Sequence, residues 1–232
     1  KQTNIKSKEV LQELVDKTRD KDSTLYIDTM ISPSYTSAIA QVIQTPSISG
    51  MENNMVVFEY DRNHPEELKR ILENINLAKA GDFDICVFAS SLHSIRSKND
   101  IHVWIRETDE NNTNLMILLG YIIIAHPDWK KSHIKIFITS TKVEQENTKQ
   151  ELRERIAAGR LPITLANIEI ITLAEGQPVS TAVEVYSKNA GLTIIGFREE
   201  IIKHNPEKFF TDFNNEMGDI LFVNASKYIE IT

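Results

Sequence analysis

One stretch, Ile101 to Thr139 (IHVWIRETDENNTNLMILLGYIIIAHPDWKKSHIKIFIT), restricts the fold more than any other part of the chain. Ile101 to Ile105 and Ile134 to Ile138 are short, β-branched apolar runs of the kind that form strands buried on both faces. Between them lies a polar turn and then Leu115 to Ala125, apolar on every side. At about eleven residues that helix is too short to cross a bilayer, which takes about 20. It must therefore be covered by protein, and the stretch reads as strand, helix, strand.

Flanking segments repeat the alternation. Lys6 to Arg19 has Val10, Leu11, Leu14 and Val15 on one side of a helix, and Thr24 to Ile31 reads as a strand. Pro33 and Ser34 open a helix over Tyr35 to Gln44, with Ile39, Val42 and Ile43 inward. The strand Met55 to Tyr60 follows. Asn63 to Glu66 has the spacing of a capping box for a helix with Leu68, Ile71, Leu72, Ile75 and Ala78 at helical intervals, closed by Gly81. Phe83 to Ala89 is the next strand and Ser90 to Asp100 a polar linker. Past Thr139 come a charged helix (Glu144 to Ala158), a strand (Ile168 to Leu173), a helix (Val179 to Asn189), a strand (Leu192 to Phe197) and a helix (Pro206 to Met217) capped by Asn205. Ile220 to Val223 and Tyr228 to Ile231, with only Asn224 to Lys227 between them, can pair with each other only as an antiparallel hairpin.

Alternating strands and helices imply a mainly parallel sheet with helices on both faces. The chain also repeats itself. Tyr26-Ile-Asp-Thr parallels Glu169-Ile-Ile-Thr, Met55-Val-Val-Phe parallels Thr193-Ile-Ile-Gly, and the Gly81-Asp to Ala-Ser90 run parallels Gly218-Asp to Ala-Ser226. Two tandem α/β halves follow, residues 1–95 and 96–232. In this alignment Ile101 to Thr139 has no counterpart in the first half. Either about 60 residues carrying a similar β-α-β unit precede Lys1 in the native chain, or the first half is simply shorter. The opening KQTNIKSKEV is neither a signal peptide nor a start methionine, so an excised piece is expected.

The order Ile-x-Val-Trp (Ile101 to Trp104), acidic polar turn, Leu-rich helix, His-x-x-Trp (His126 to Trp129) and Lys-Ile-x-Ile-Phe-type strand resembles the cytosolic C-terminal domain of the cation-chloride cotransporters, the Na-K-Cl and K-Cl symporters. Val42-Ile-Gln-Thr-Pro-Ser-Ile-Ser-Gly-Met-Glu-Asn-Asn-Met-Val-Val is similar to that family's helix, Gly-containing turn and strand. The resemblance implies two halves, each similar to the universal stress proteins, the mainly parallel sheet ending in the C-terminal hairpin. It implies a non-catalytic regulatory and dimerisation domain on the cytoplasmic face of the cell membrane, pairing as a homodimer and coupled to its own transmembrane transport domain. Only three residues separate Ala174 from Pro178, where animal members carry a long phosphorylatable insert, so the likeness is to a prokaryotic member without kinase control. The alternative is a universal-stress-protein-like nucleotide-binding module.

Composition and motifs exclude other classes. The net charge of −7 and dispersed Lys and Arg leave no basic stripe for nucleic acid. A single cysteine, Cys86, sits in an apolar run, where core is the first reading, and excludes an internal disulfide. Loops after Tyr60 and Phe197 are acidic and lack the glycine spacing of a phosphate loop. His64, His93, His102, His126, His133 and His204 contain no zinc-ligand spacing, although His102 and His133 begin strands that could bring them together. Asp82, Asp84, Asp109 and Glu110 sit at strand or helix ends, where turn and capping roles come first. Trp104 and Trp129 pack a core or an interface. No catalytic residue, cofactor-binding residue, metal ligand or cofactor is expected.

Overall fold

The computed structural model describes residues 2–18, 26–46, 52–91, 100–106, 109–140, 164–174, 176–200, 206–214 and 216–229. Two compact units emerge, Lys1–Glu52 and Asn53–Thr232. The first holds α1 (Gln2–Thr18) and α2 (Tyr35–Gln44), the latter capped by Ser34, whose hydroxyl accepts from the Ser37 amide at 3.1 Å. None of its described residues is buried, and Val10, Leu14 and Val42 stay exposed rather than turning inward. The expected strand at Thr24 to Ile31 is absent over Tyr26 to Ile31, the rest of it lying outside the described residues. Its aligned counterpart is a strand because a neighbour supplies a ladder; Tyr26 to Ile31 lies in no ladder.

The second unit is one seven-stranded sheet, ordered β1-β2-β7-β6-β3-β4-β5. Its strands are β1 (Met55–Asp61), β2 (Asp84–Ser90), β3 (Ile101–Arg106), β4 (Ile134–Ser140), β5 (Ile168–Thr172), β6 (Leu192–Gly196) and β7 (Asp219–Asn224). Its α-helices described from end to end are α3 (Glu66–Ala80), α4 (Glu110–Ile124), α5 (Val179–Ser187) and α6 (Pro206–Thr211). α4, polar over its first turns and apolar from Leu115 on, packs on β3, β6 and β7, while Ile122 on its outer side stays exposed, so the apolar run is covered on one side rather than all round. Beneath it Leu115 and Met116 join Ile101, Val103, Ile136, Ile138, Ile194 and Val223 in one buried cluster. On the opposite face Trp104 stacks on Phe137 at 4.7 Å, and Phe210 meets Phe197 and Phe222 edge to face.

Every strand pair is parallel except β2·β7. The antiparallel pairing expected of a terminal hairpin is thus made elsewhere. Tyr228 and Ile229 are not in a strand, and the rest of that run lies outside the described residues. β7 has its edges taken by β6 and β2, which leaves a hairpin partner nothing to bond. The β2·β7 ladder is symmetric about Val87 opposite Phe222: Ile85 opposite Asn224 mirrors Ala89 opposite Ile220. The sheet crosses from the first tandem half to the second here, with a pseudo-two-fold between them.

Three local expectations change. Asn63 does not cap α3: Pro65 holds that position with no side-chain bond, and the Asn63 amide and side chain both donate to Asp61 Oδ1 (2.8 and 3.0 Å). A nearer carboxylate wins the asparagine. α6 stops at Thr211 rather than Met217, because the carbonyls beyond it bond to Arg62 instead of continuing a helix. Gly81 caps α3 with an ordinary negative φ, and it is Asp82 that takes the left-handed conformation (φ 59°). The charged helix at Glu144 to Ala158 and the cap Asn205 lie outside the described residues.

Candidate functional site

The carboxyl ends of β3, β6 and β7 converge, which is where open α/β sheets hold their sites. Asp109, directly before α4, is buried and does not cap the helix with its side chain. Instead its carboxylate lies over Gly196, at the end of β6, where an added Cβ would collide with Oδ2. Asn112, one turn into α4, donates to Asp109 Oδ1 (2.8 Å) and to the Phe197 carbonyl (3.0 Å), and accepts from the Ala225 amide (2.7 Å). Asn224 also donates to the Phe197 carbonyl at 2.8 Å. One buried polar knot therefore ties three strand ends to one helix. Burial, the largest influence, pushes the Asp109 carboxyl up, while the Asn112 bond and the charges of Arg198 and Arg106 act against it. Arg198 Nε stands 3.8 Å from Oδ1.

Beside the knot is a cavity of about 160 Å³, with Arg106 over the Phe209 ring (5.9 Å) and Ser180, Val183, Ile195 and Asp212 among its walls. Pockets that take a drug-sized ligand run from about 300 Å³ upwards. Among the described residues this cavity has room for a few atoms.

The candidate residues of the sequence are dispersed. His102 is buried beneath α5, with Nδ1 2.9 Å from Ser187 Oγ; that hydroxyl accepts from Trp104 Nε1 at 2.8 Å and so has its proton free for the imidazole. Burial and then Lys135 hold His102 down to about 4, so the ring is neutral near pH 7. His133 is exposed and pairs with Asp100 at 3.5 Å, so the two histidines serve different partners. His126 is exposed and accepts from the Asp128 amide, and His64 bridges to Asp61. His93, His204 and the Glu110 side chain lie outside the described residues. Cys86 is buried and 3.8 Å from Met55 Sδ; burial, with Asp84 adding to it, pushes its thiol up to about 12. Trp129 belongs to the core under α4. Among the described residues no three His, Cys, Asp or Glu side chains are grouped to hold a metal ion.

Two features carried little signal in the sequence. Asp84, at the start of β2, accepts from the amide and hydroxyl of Ser226 (2.7 and 3.0 Å), while Asp219, at the start of β7, accepts from the amide and hydroxyl of Ser91 (2.8 and 2.9 Å). This reciprocal clasp aligns Asp84 with Asp219, a small slip from the sequence repeat, which matched Asp82 to Asp219. The second feature is Arg62, whose guanidinium donates to the carbonyls of Met217, Gly218, Phe213 and Asn214 (2.6–3.1 Å). Tyr60 Oη adds a bond to the Phe210 carbonyl at 2.7 Å, and Lys79 pairs with Glu199. The repeat singled out Asp219 and Ser226 of the clasp but in the first half pointed to Asp82 and Ser90 in place of Asp84 and Ser91; a loop arginine leaves no trace.

No helix among the described residues is long and apolar enough to cross a membrane. No family model and no curated protein matches the sequence. Solved structures do. The chain is similar to the cytoplasmic domain of a prokaryotic cation chloride cotransporter over 93% of its length and 79% of that chain (TM-score 0.58, 14% identity). It is also similar to a functionally unknown protein from Pseudomonas aeruginosa PAO1 (TM-score 0.55, 12% identity, 93% and 76% covered). A protein described as a universal stress protein from Pseudomonas aeruginosa UCBPP-PA14 has TM-score 0.56 at 12% identity, with 93% and 77% covered. The chain therefore has the α/β fold of these proteins, a mostly parallel seven-stranded sheet with one antiparallel pair.

Proposed function

We propose that the chain is a non-catalytic regulatory and dimerisation domain on the cytoplasmic side of a cation-chloride cotransporter, coupled to that protein's membrane transport domain. The observation that carries this reading is the likeness to a cotransporter cytoplasmic domain over 93% of the chain, with β3 and β4 of the Ile101 to Thr139 unit paired inside the sheet between β6 and β5. The fold is shared with a universal stress protein, so what separates the readings is local chemistry. Asp109 is seated on Gly196, Phe197 is wholly buried, and the strand end continues as Arg198-Glu199-Glu200 without a glycine loop to cradle phosphate. These support a scaffold over a nucleotide module. Such a domain influences transport only through contacts that differ between transporter states.

The test is chloride-dependent cation uptake into vesicles bearing the complete native polypeptide, and the same polypeptide without these residues. Uptake that depends on chloride and changes on deletion is expected. If ATP or AMP instead stabilises the chain by about 2.7 kcal/mol at a hundred times Kd, the nucleotide-binding reading replaces this one.

A further inference from the structure

We infer that the outer edge of β1 and the bare sheet face beside it seat a β-α-β unit of this same polypeptide that precedes residue 1. The pseudo-two-fold relates the strands of the two halves. Asp84 and Asp219 are equivalent through the reciprocal clasp, and Met55 lies opposite Asp84 just as Leu192 lies opposite Asp219. Met55, Val57 and Glu59 therefore correspond to Leu192, Ile194 and Gly196.

In the second half, β6 has both edges filled: β7 on one side and β3 on the other, with Leu192 opposite Ile101 and Ile194 opposite Val103. In the first half β1 has β2 on one side and, among the described residues, ends the sheet on the other. The Asn54 carbonyl and the Arg62 amide both bond towards β2, so by the two-residue alternation of a parallel strand Met55, Val57 and Glu59 aim their amides at the open edge. A backbone bond from the His64 amide to the Asp61 carbonyl closes the far end, leaving Met55 to Glu59 as the free length.

Side chains point the same way independently. Ile194 is fully buried, in the cluster under α4, while its equivalent Val57 is 60% exposed. In the second half one continuous unit, β3-α4-β4, supplies both the pairing strand and the covering helix, so one unit upstream accounts for both deficits. The same unit explains why Tyr26 to Ile31 is not a strand. Its counterpart β5 pairs with β4, whose equivalent would lie in the upstream segment. Exposed apolar edges of this kind otherwise invite pairing with foreign chains.

Glu59 adds a detail. Gly196 is needed for Asp109 to lie against the strand end, and Glu59 leaves no such space. The upstream unit should carry an Ile-x-Val-type strand without a carboxylate in the place of Asp109. The inference holds for a cotransporter or a stress protein and does not rest on the reading above.

The experiment compares the native polypeptide, extended upstream by roughly 60 residues, with the chain that starts at residue 1, by hydrogen exchange. The amides of Met55, Val57 and Glu59 are expected to exchange at least about a hundredfold more slowly in the longer chain. Val57→Cys in the longer chain gives a second readout that needs no short chain: with Cys86 buried, the new thiol should resist labelling until unfolding. Fast exchange at all three amides or rapid labelling in the longer chain overturns the inference. So does protection that appears only with concentration-dependent dimerisation, which would make a second copy the occupant.

Discussion

Replacing Gly196 by alanine tests whether the polar knot at the strand ends holds the sheet together. The added Cβ would collide with Asp109 Oδ2 and come within 3.2 Å of Asn112 Nδ2. Asp109 cannot retreat freely, being buried and bonded to Asn112, which also holds Phe197 and Ala225. Overpacking costs about 1–3 kcal/mol, and loss of the Asp109–Asn112 bond in a buried setting adds about 1–3 kcal/mol. We expect a destabilisation of about 3 kcal/mol, which for a chain of this size lowers Tm by about 6–12 °C. The assay is urea unfolding of the parent, Gly196→Ala, Asp109→Ala and the double variant. If the clash is the cause, the glycine substitution costs at least about 1 kcal/mol less once Asp109 is shortened. An effect below about 0.5 kcal/mol, or an equal cost in both backgrounds, would refute the reasoning.

Arg62→Ala removes a donor from four carbonyls, of which Asn214 keeps the Met217 amide, and should cost about 2–4 kcal/mol, with Arg62→Lys recovering less than half because one ammonium cannot replace the fork; thermal melts decide. The depressed imidazole of His102 gives stability that is present above pH 6.5 and lost as pH falls through about 4. The loss, about 3 kcal/mol, should shrink in His102→Gln, and equal losses in both would contradict it. The Asp109 carboxyl is shifted the other way, so its favourable contribution is full below 3.8 and lost as pH rises through the folded value. Asp109→Asn should therefore be more stable than the parent at pH 7, and that advantage should vanish below pH 3.8. Cys86 should react with a thiol reagent only as fast as the protein unfolds, with faster labelling showing that β2 opens locally.

Much of the second half was legible because its residues speak locally. Ile101 to Ile105, Ile134 to Ile138 and the apolar helix between them could satisfy their side chains in few other ways: the two strands pair inside the sheet between β6 and β5, and the helix packs on one face. Leu68, Ile71, Leu72, Ile75 and Ala78 all bury, as their spacing required. What failed depended on competing or distant partners. The strand at Tyr26 lacks a ladder, Asn63 is drawn to Asp61, and α6 gives up its last turns to Arg62, from the other half. The joint between halves was hidden for the same reason: β7 is apolar enough to pair with anything, and only the clasp of Asp84 with Ser226 and Asp219 with Ser91 fixes β2 as its neighbour. The knot at Asp109 escaped because an acidic residue before a helix reads as a cap, whereas burial beside Gly196 gives it a different task.

The most direct test of the cotransporter reading is to follow the native polypeptide that carries this sequence through fractionation, using an antibody to the folded domain. The account predicts a band far heavier than 26.5 kDa that stays with the membranes through an alkaline carbonate wash, as a chain with roughly twelve spans of about 20 apolar residues must. A band near 26.5 kDa that leaves with the wash would contradict it.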